Sequence, residues 1–381
     1  MSHVGTIRAV KILFSLVLAV VAVVAGGSRP AAAQGSAGAV YTLTNANAAN
    51  AVAVWNRAAD GTLTPAGIYP TGGRGGSLGS QGALALSRNH RWLYAVNAGS
   101  NTISVFAVMP VGLHLLGSVG SGGADPVSLT TMGNLLYVLN AGQFPPAAAT
   151  ASPGNIAGFV VGPNGLPHPL AGSTRALSRQ DAAVGPAEIA FSRDGAVLAV
   201  TEKATNKIDI YTVGRDGRAT GPRVYTSNGA TPFGFAFGQR RQMIVSEAAQ
   251  AAASSYTVSR HGELATVSAS VPTTQGAPCW VAVTADGRYA YTANAARDAN
   301  SISGFSVAPD GHLALLPNGV TPSHGIHPID MALSANSRYL YVLNSGSGTI
   351  SAFRVHADGS LAPLATSASG LPASVAGLAA R

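Results

Sequence analysis

A single cysteine, Cys279, in 381 residues leaves no intramolecular disulfide to form, so the stability of the chain must come from packing. Charged residues are only 10% of the sequence and aromatics 6%. So little Glu, Lys and Arg removes the usual formers of long helices and coiled coils, and 46 glycines with 22 prolines would interrupt them. Long runs of like charge are missing too, and 47% hydrophobic content can bury a core, which argues against disorder. A globular, turn-rich fold remains.

The uncharged apolar run from Ile12 to Ala25 is too short to span a bilayer comfortably. Arg8 and Lys11 precede it and Ala31-Ala32-Ala33 follows, the order of a basic region, an apolar region and an A-x-A cleavage site. A signal peptide over residues 1–33, a mature domain over 34–381 and a secreted or periplasmic protein without a stable membrane anchor are therefore expected. Loss of Arg8, Lys11 and Arg29 takes the net charge from +8 to +5, too mild and too scattered for nucleic acid. A monomer acting on a small-molecule ligand or substrate is expected.

The mature region repeats. An aromatic residue is followed six positions later by Gly at Trp55/Gly61, Phe106/Gly112, Phe159/Gly165, Tyr211/Gly217, Tyr256/Gly262, Phe305/Gly311 and Phe353/Gly359, at intervals near fifty residues. Segments such as KIDIYTV (207–213) and TISAFRV (349–355) alternate as strands do, and Asp-Gly or Asn-Gly before the next strand marks a hairpin. Upstream lie a second strand, as in WLYAVN (92–97) and YLYVLN (339–344), and a third opened by Pro126, Pro186, Pro232, Pro278 or Pro328. Four short antiparallel strands per fifty residues make a propeller blade, and seven such units predict an all-β, seven-bladed β-propeller. Residues 39–69 lack a first strand, and LPASVAGLAA from Leu371 has its pattern, so the C-terminal strand is expected to complete the N-terminal blade.

The hairpin turns and Asp194-Gly195 fall on one face. The longer, variable segments 69–82, 141–154 and 167–185 fall on the other, where a site on a rigid scaffold is expected. Second strands end in Asn97, Asn140, Asn294 and Asn344, but in Glu202 and Glu247 in adjacent blades. Two carboxylates there suit acid and base catalysis or a cation such as Ca2+, or else they pair with Lys203 or Lys207; no cofactor is required. His324, His327 and Asp330 share the loop entering the last blade and could supply ligands or a base. Arg74, Arg175 and Arg179 could fork a carboxylate or phosphate, or could be ordinary loop arginines. Ser77 sits in GGSLG, a formal G-x-S-x-G, without the strand-to-helix elbow that motif needs, and Cys279-Trp280 reads as core.

YVLNSGSGTISAFRVHADGSL and YAYTANAARDANSISGFSVAPDGHL resemble repeats of the seven-bladed lactonase family, which includes 6-phosphogluconolactonase-like proteins and carboxymuconate cyclases. The resemblance covers residues 39–381. It implies a lactone hydrolase or cyclase with a His at one blade mouth, a G-P-R-H segment at the next and a Glu closing that blade's second strand. Here Ala187 and Glu188 stand in place of the first His, and Phe233 and Gly234 in place of Arg and His, while Glu247 matches the Glu. Two readings stay open: a lactone enzyme acting on a small organic acid or sugar, and a non-catalytic propeller binding a small molecule, glycan or protein.

Overall fold

In the sixth repeat, Pro278–Val283, Tyr289–Asn294, Ser301–Val307 and Leu313–Pro322 are four strands paired in sequence order, every pair antiparallel. The second and third are buried along almost their whole length, whereas the fourth alternates towards solvent, as expected of sheets stacked on both sides of their middle strands. The computed structural model describes residues 1–2, 37–145, 150–365 and 368–381, and this arrangement recurs in seven sheets, the third of which carries an additional short strand, Arg175–Ala176. The signal peptide expected over 1–33 lies outside the described residues except for Met1 and Ser2. Residues Ser36–Arg381 form one compact unit. Among the described residues no helix is long and apolar enough to cross a membrane.

The glycine of each aromatic–Gly repeat has a second function besides its turn. All seven have positive φ, from 74° at Gly112 to 97° at Gly311. Gly61, Gly165 and Gly359 also lie so close to the rings of Tyr339, Trp92 and Tyr289 on the preceding blade that a Cβ would collide with them. Tyrosines in the second strands then donate to the carbonyls of these turns: Tyr94 to Gly165 at 3.1 Å, Tyr137 to Gly217 at 2.8 Å, Tyr291 to Gly359 and Tyr341 to Gly61 at 2.9 Å. The fourth blade has Ala199 at that place, and Tyr225 of its outer strand makes the equivalent bond to Gly262. Gly61→Ala combines a strained φ with overpacking against Tyr339, and is expected to cost about 2–4 kcal/mol, read as a lower melting temperature.

The C-terminal strand Ala376–Ala380 pairs with Gly38–Leu43, so the first sheet contains both ends of the seven-repeat region. Each sheet keeps an outer edge and an inner edge around the axis, and the free N–H groups of the inner edge need acceptors. Side chains of neighbouring blades supply them. Ser128 Oγ accepts from Ile189 N (3.2 Å), Glu188 Oε2 from Phe235 N (2.6 Å) and Asp330 Oδ2 from Leu378 N (2.9 Å). The fifth blade has Gly234 at the corresponding place, and Gln81 reaches across the channel instead, accepting from Val281 N and donating to Val281 O, both at 2.8 Å. A Cβ on Gly234 would strike Gln81, so the glycine makes room for this crossing side chain.

Candidate functional site

Gln81 ends a loop that crosses the channel mouth. Ser80 Oγ donates to Val127 O (2.8 Å), Gln81 N to Ala187 O (2.9 Å), and Trp280 Nε1 returns a bond to Ser80 O (3.0 Å). The Gly-rich segment expected on the long-loop face is thereby tied to three blades and floors a cavity of about 500 Å³. Asn45, Ser77, Phe233, Trp280, His327 and Ser345 are among its lining residues. Phe233 and Trp280 pack at 4.9 Å between ring centroids and form an apolar wall. Lys203 reaches over this wall from its own blade, 4.7 Å above the Phe233 ring, and donates to Gly79 O. Burial lowers its pKa. Burial also pushes the Cys279 thiol up to about 12, so it stays protonated and is no nucleophile at neutral pH.

His327 is the titratable side chain that opens on this cavity. Its backbone is held in place by N–H donation to Asn300 Oδ1 (2.8 Å), and its carbonyl accepts from Ser345 N (3.0 Å). Nδ1 lies 2.9 Å from Ser345 Oγ. The same hydroxyl is 3.4 Å from the His327 carbonyl and can donate there, which leaves it to accept from Nδ1–H and leaves the lone pair on Nε2. That tautomer, assigned from the hydrogen-bond pattern, is the one a general base requires. His324 is not part of this arrangement, its ring lying 5.9 Å from that of Phe353. Asp330 is also separate: it is 1% exposed and occupied by the N–H groups of Met331 and Leu378.

The two strand-end glutamates are wholly enclosed. Glu247 accepts from Gly229 N (2.8 Å) and from the hydroxyls of Ser254 and Ser270 (both 2.6 Å). Glu202 accepts from Ser178 N and from the hydroxyls of Ser178 and Thr205. They occupy the place at which Asn97 and Asn344 stitch the blade interior to Ser104 and Ser351, seven residues on. In the fourth blade that partner is Asp209, so two carboxyls face each other. Neither Asp209 oxygen has a well-formed hydrogen bond from a backbone or hydroxyl donor among the described residues. Burial first, and then the Glu202 charge and hydrogen bond, raise its pKa to about 9, so Asp209 holds a proton at neutral pH. The sevenfold spacing was visible in the sequence, yet Asp209 was not among the expected site residues.

The arginines turn to their own surroundings. Arg74 donates to Gly99 O (2.9 Å), Arg175 to Gly172 O and Thr174 O, and Arg179 pairs with Asp181 at 2.8 Å in solvent. Lys207 donates to Thr226 rather than to Glu202. Among the described residues no group of three or more His, Cys, Asp or Glu side chains is arranged to hold a metal ion.

A family model described as lactonase, 7-bladed beta-propeller, matches residues 21–143 and 266–375, more than half of the chain. The stretch between the two matches holds the fourth blade and three strands of the fifth, where the strand-end glutamates and Phe233-Gly234 occur. No curated protein matches. Solved structures share the fold at low identity. A Lactobacillus plantarum protein is 17% identical over 90% of this chain and 99% of its own, with a TM-score of 0.72. A Bacteroides fragilis protein provisionally named a 6-phosphogluconolactonase is 18% identical over 92% and 99%, with a TM-score of 0.68. The periplasmic gluconolactonase of Pseudomonas aeruginosa is 20% identical over 88% and 98%, with a TM-score of 0.66.

Proposed function

The chain belongs to the seven-bladed β-propeller lactonase family, and from that premise we propose that it opens or forms the lactone of a small, unphosphorylated organic acid or sugar in the channel-mouth cavity. The observation that carries this reading is His327, whose Nδ1 is engaged by Ser345 on the cavity wall. In the hydrolytic direction Nε2 removes a proton from water as the oxygen attacks the ring carbonyl, and the imidazolium returns that proton to the departing ring oxygen. Asn45 and Ser77 supply polar contacts for substrate hydroxyls, and Phe233 with Trp280 excludes water on one side. No arginine or lysine is among the residues lining the cavity, and Lys203 is committed to Gly79 and Phe233, which disfavours a phosphorylated lactone.

The test is lactone opening followed by base uptake at constant pH, with gluconolactone and its phosphorylated counterpart as substrates. His327→Gln is expected to lower turnover about 10²-fold, the scale of a lost general base, with an unchanged melting temperature. Wild-type protein that opens no lactone above the uncatalysed rate would overturn the catalytic reading and leave a binding propeller. Phe233 and Gly234, at the positions where the resemblance calls for Arg and His, favour that alternative.

Export belongs to the same proposal. Protein recovered from the periplasm or medium of an expressing bacterium is expected to begin near Gln34, because the leader pattern ends at Ala33. N-terminal sequencing that returns Met1 would contradict it.

A further inference from the structure

We propose that the face opposite the channel-mouth cavity carries a binding site for acidic sugars, in the groove between the second and third blades. This groove encloses about 760 Å³, a size suited to a small ligand. Its cations are Arg88 and Arg91, and its lining contains no carboxylate. Both arginines are exposed, and the guanidinium of Arg88 has no hydrogen-bond or ion-pair partner among the described residues. That of Arg91 lies 5.1 Å from the centroid of the Trp92 ring, which also packs against Gly165. This cation–π contact positions the Arg91 guanidinium before any ligand arrives, with its donors unpaired among the described residues and able to fork a carboxylate.

The contrast with neighbouring grooves reinforces this. Two similar grooves on the same face have comparable Arg–aromatic features but include Asp286 in their linings, beside Arg240 and Arg288 in one and beside Arg288 and Arg338 in the other. Of the neutral polar lining, Thr131 donates to Leu86 O and Asn89 Oδ1 accepts from Ser87 Oγ and Arg91 N, which leaves the amides of Asn89 and Asn134 to meet sugar hydroxyls rather than further charge for a phosphate. A pyranose carrying a carboxylate, as in an oligouronate, combines both requirements.

Isothermal titration of the full chain with oligogalacturonate, neutral dextran oligosaccharide and inorganic phosphate separates the possibilities. Oligogalacturonate is expected to bind, more weakly as salt is raised, and dextran is not. The double variant Arg88→Ala/Arg91→Ala should lose at least tenfold in oligogalacturonate affinity while its melting temperature stays unchanged. Lactone turnover by this variant should also stay unchanged, because His327 lies on the other face, so failure of this proposal is distinguishable from failure of the enzymatic reading. No binding of oligogalacturonate, equal binding of dextran, binding of phosphate in preference to the uronate, or affinity unaltered in the double variant would each overturn it.

Discussion

Removal of Ser374–Arg381 is expected to yield a chain that no longer folds to a soluble propeller. The segment contributes the inner strand of the first blade, and its loss bares the edge of Gly38–Leu43, a strand buried along its entire length. Four further bonds disappear with it: Thr42 Oγ1 to Gly377 O (2.6 Å), Ser374 Oγ to Thr44 O (2.7 Å), Arg57 Nε to Arg381 O (2.9 Å) and Leu378 N to Asp330 (2.9 Å). The last leaves a buried carboxyl with one backbone donor fewer. Burial of Val375 and Leu378 is worth about 1.5–3 kcal/mol each and each net hydrogen bond about 1 kcal/mol, so the sum approaches the whole stability of an ordinary domain, about 5–15 kcal/mol. A milder variant keeps the idea testable if the truncation is degraded. Gly377 has φ of +75° and a Cβ there would lie 3.0 Å from Ala83 Cβ, so Gly377→Ala should lower the melting temperature measurably. A truncated chain that stays soluble and melts as the full one does would show that ring closure is not what holds the first blade.

This closure could be read from the sequence because it rests on local pattern: a first blade with no inner strand and a C-terminus with the apolar pattern of one. The aromatic–Gly register was legible for a similar reason, since positive φ restricts the turn residue wherever it occurs. The packing of Gly61 against Tyr339 supplies a further cause that spacing alone could not show. What stayed hidden depends on contacts across the ring. Gln81 and Val281 are two hundred residues apart, and nothing at either position announces that they bond. Glu202 and Glu247 were conspicuous as replacements of Asn, but the side chains of Asn97, Asn294 and Asn344 point into the blade to bond hydroxyls of the next strand. Residues that replace them inherit that orientation. His327, one of several residues singled out in its loop, is distinguished from His324 by its place on the cavity wall and by the position of Ser345.

A burden of buried carboxyls leads to the second large effect: the protein should be more stable at pH 5 than at pH 8.5. Burial holds the pKa of Glu188 well above the ordinary carboxylate range, offset in part by the Phe235 N–H and reinforced by the charge of Asp330. Asp330 is raised to about 8, burial outweighing its two backbone donors, and Asp209 to about 9. Unfolded, these groups titrate near pH 4, so folding takes up protons above that, for Asp330 and Asp209 up to about pH 8 and about pH 9. Their favourable contribution is complete below the unfolded pKa and is lost as pH rises through the folded values, at about 1.4 kcal/mol per pH unit for each group while the difference lasts. Exposed aspartates work in the opposite sense at lower pH. Asp60, held below its usual range by the Thr62 N–H, and Asp216, held there by Arg218, stabilise the fold only while ionised, so the benefit reverses below about pH 4. Over the roughly three pH units between pH 5 and the folded values this slope amounts to about 4 kcal/mol each for Asp330 and Asp209, with Glu188 adding in the same sense, so the melting temperature should fall by more than about 10 °C by pH 8.5. Asp209→Asn removes one of the linked protons and lets an amide donate to Glu202, so it should raise the melting temperature at pH 8.5 more than at pH 5. A melting temperature that is flat or rising across this range would mean that these carboxyls are ionised in the folded protein and that water or rearrangement compensates them.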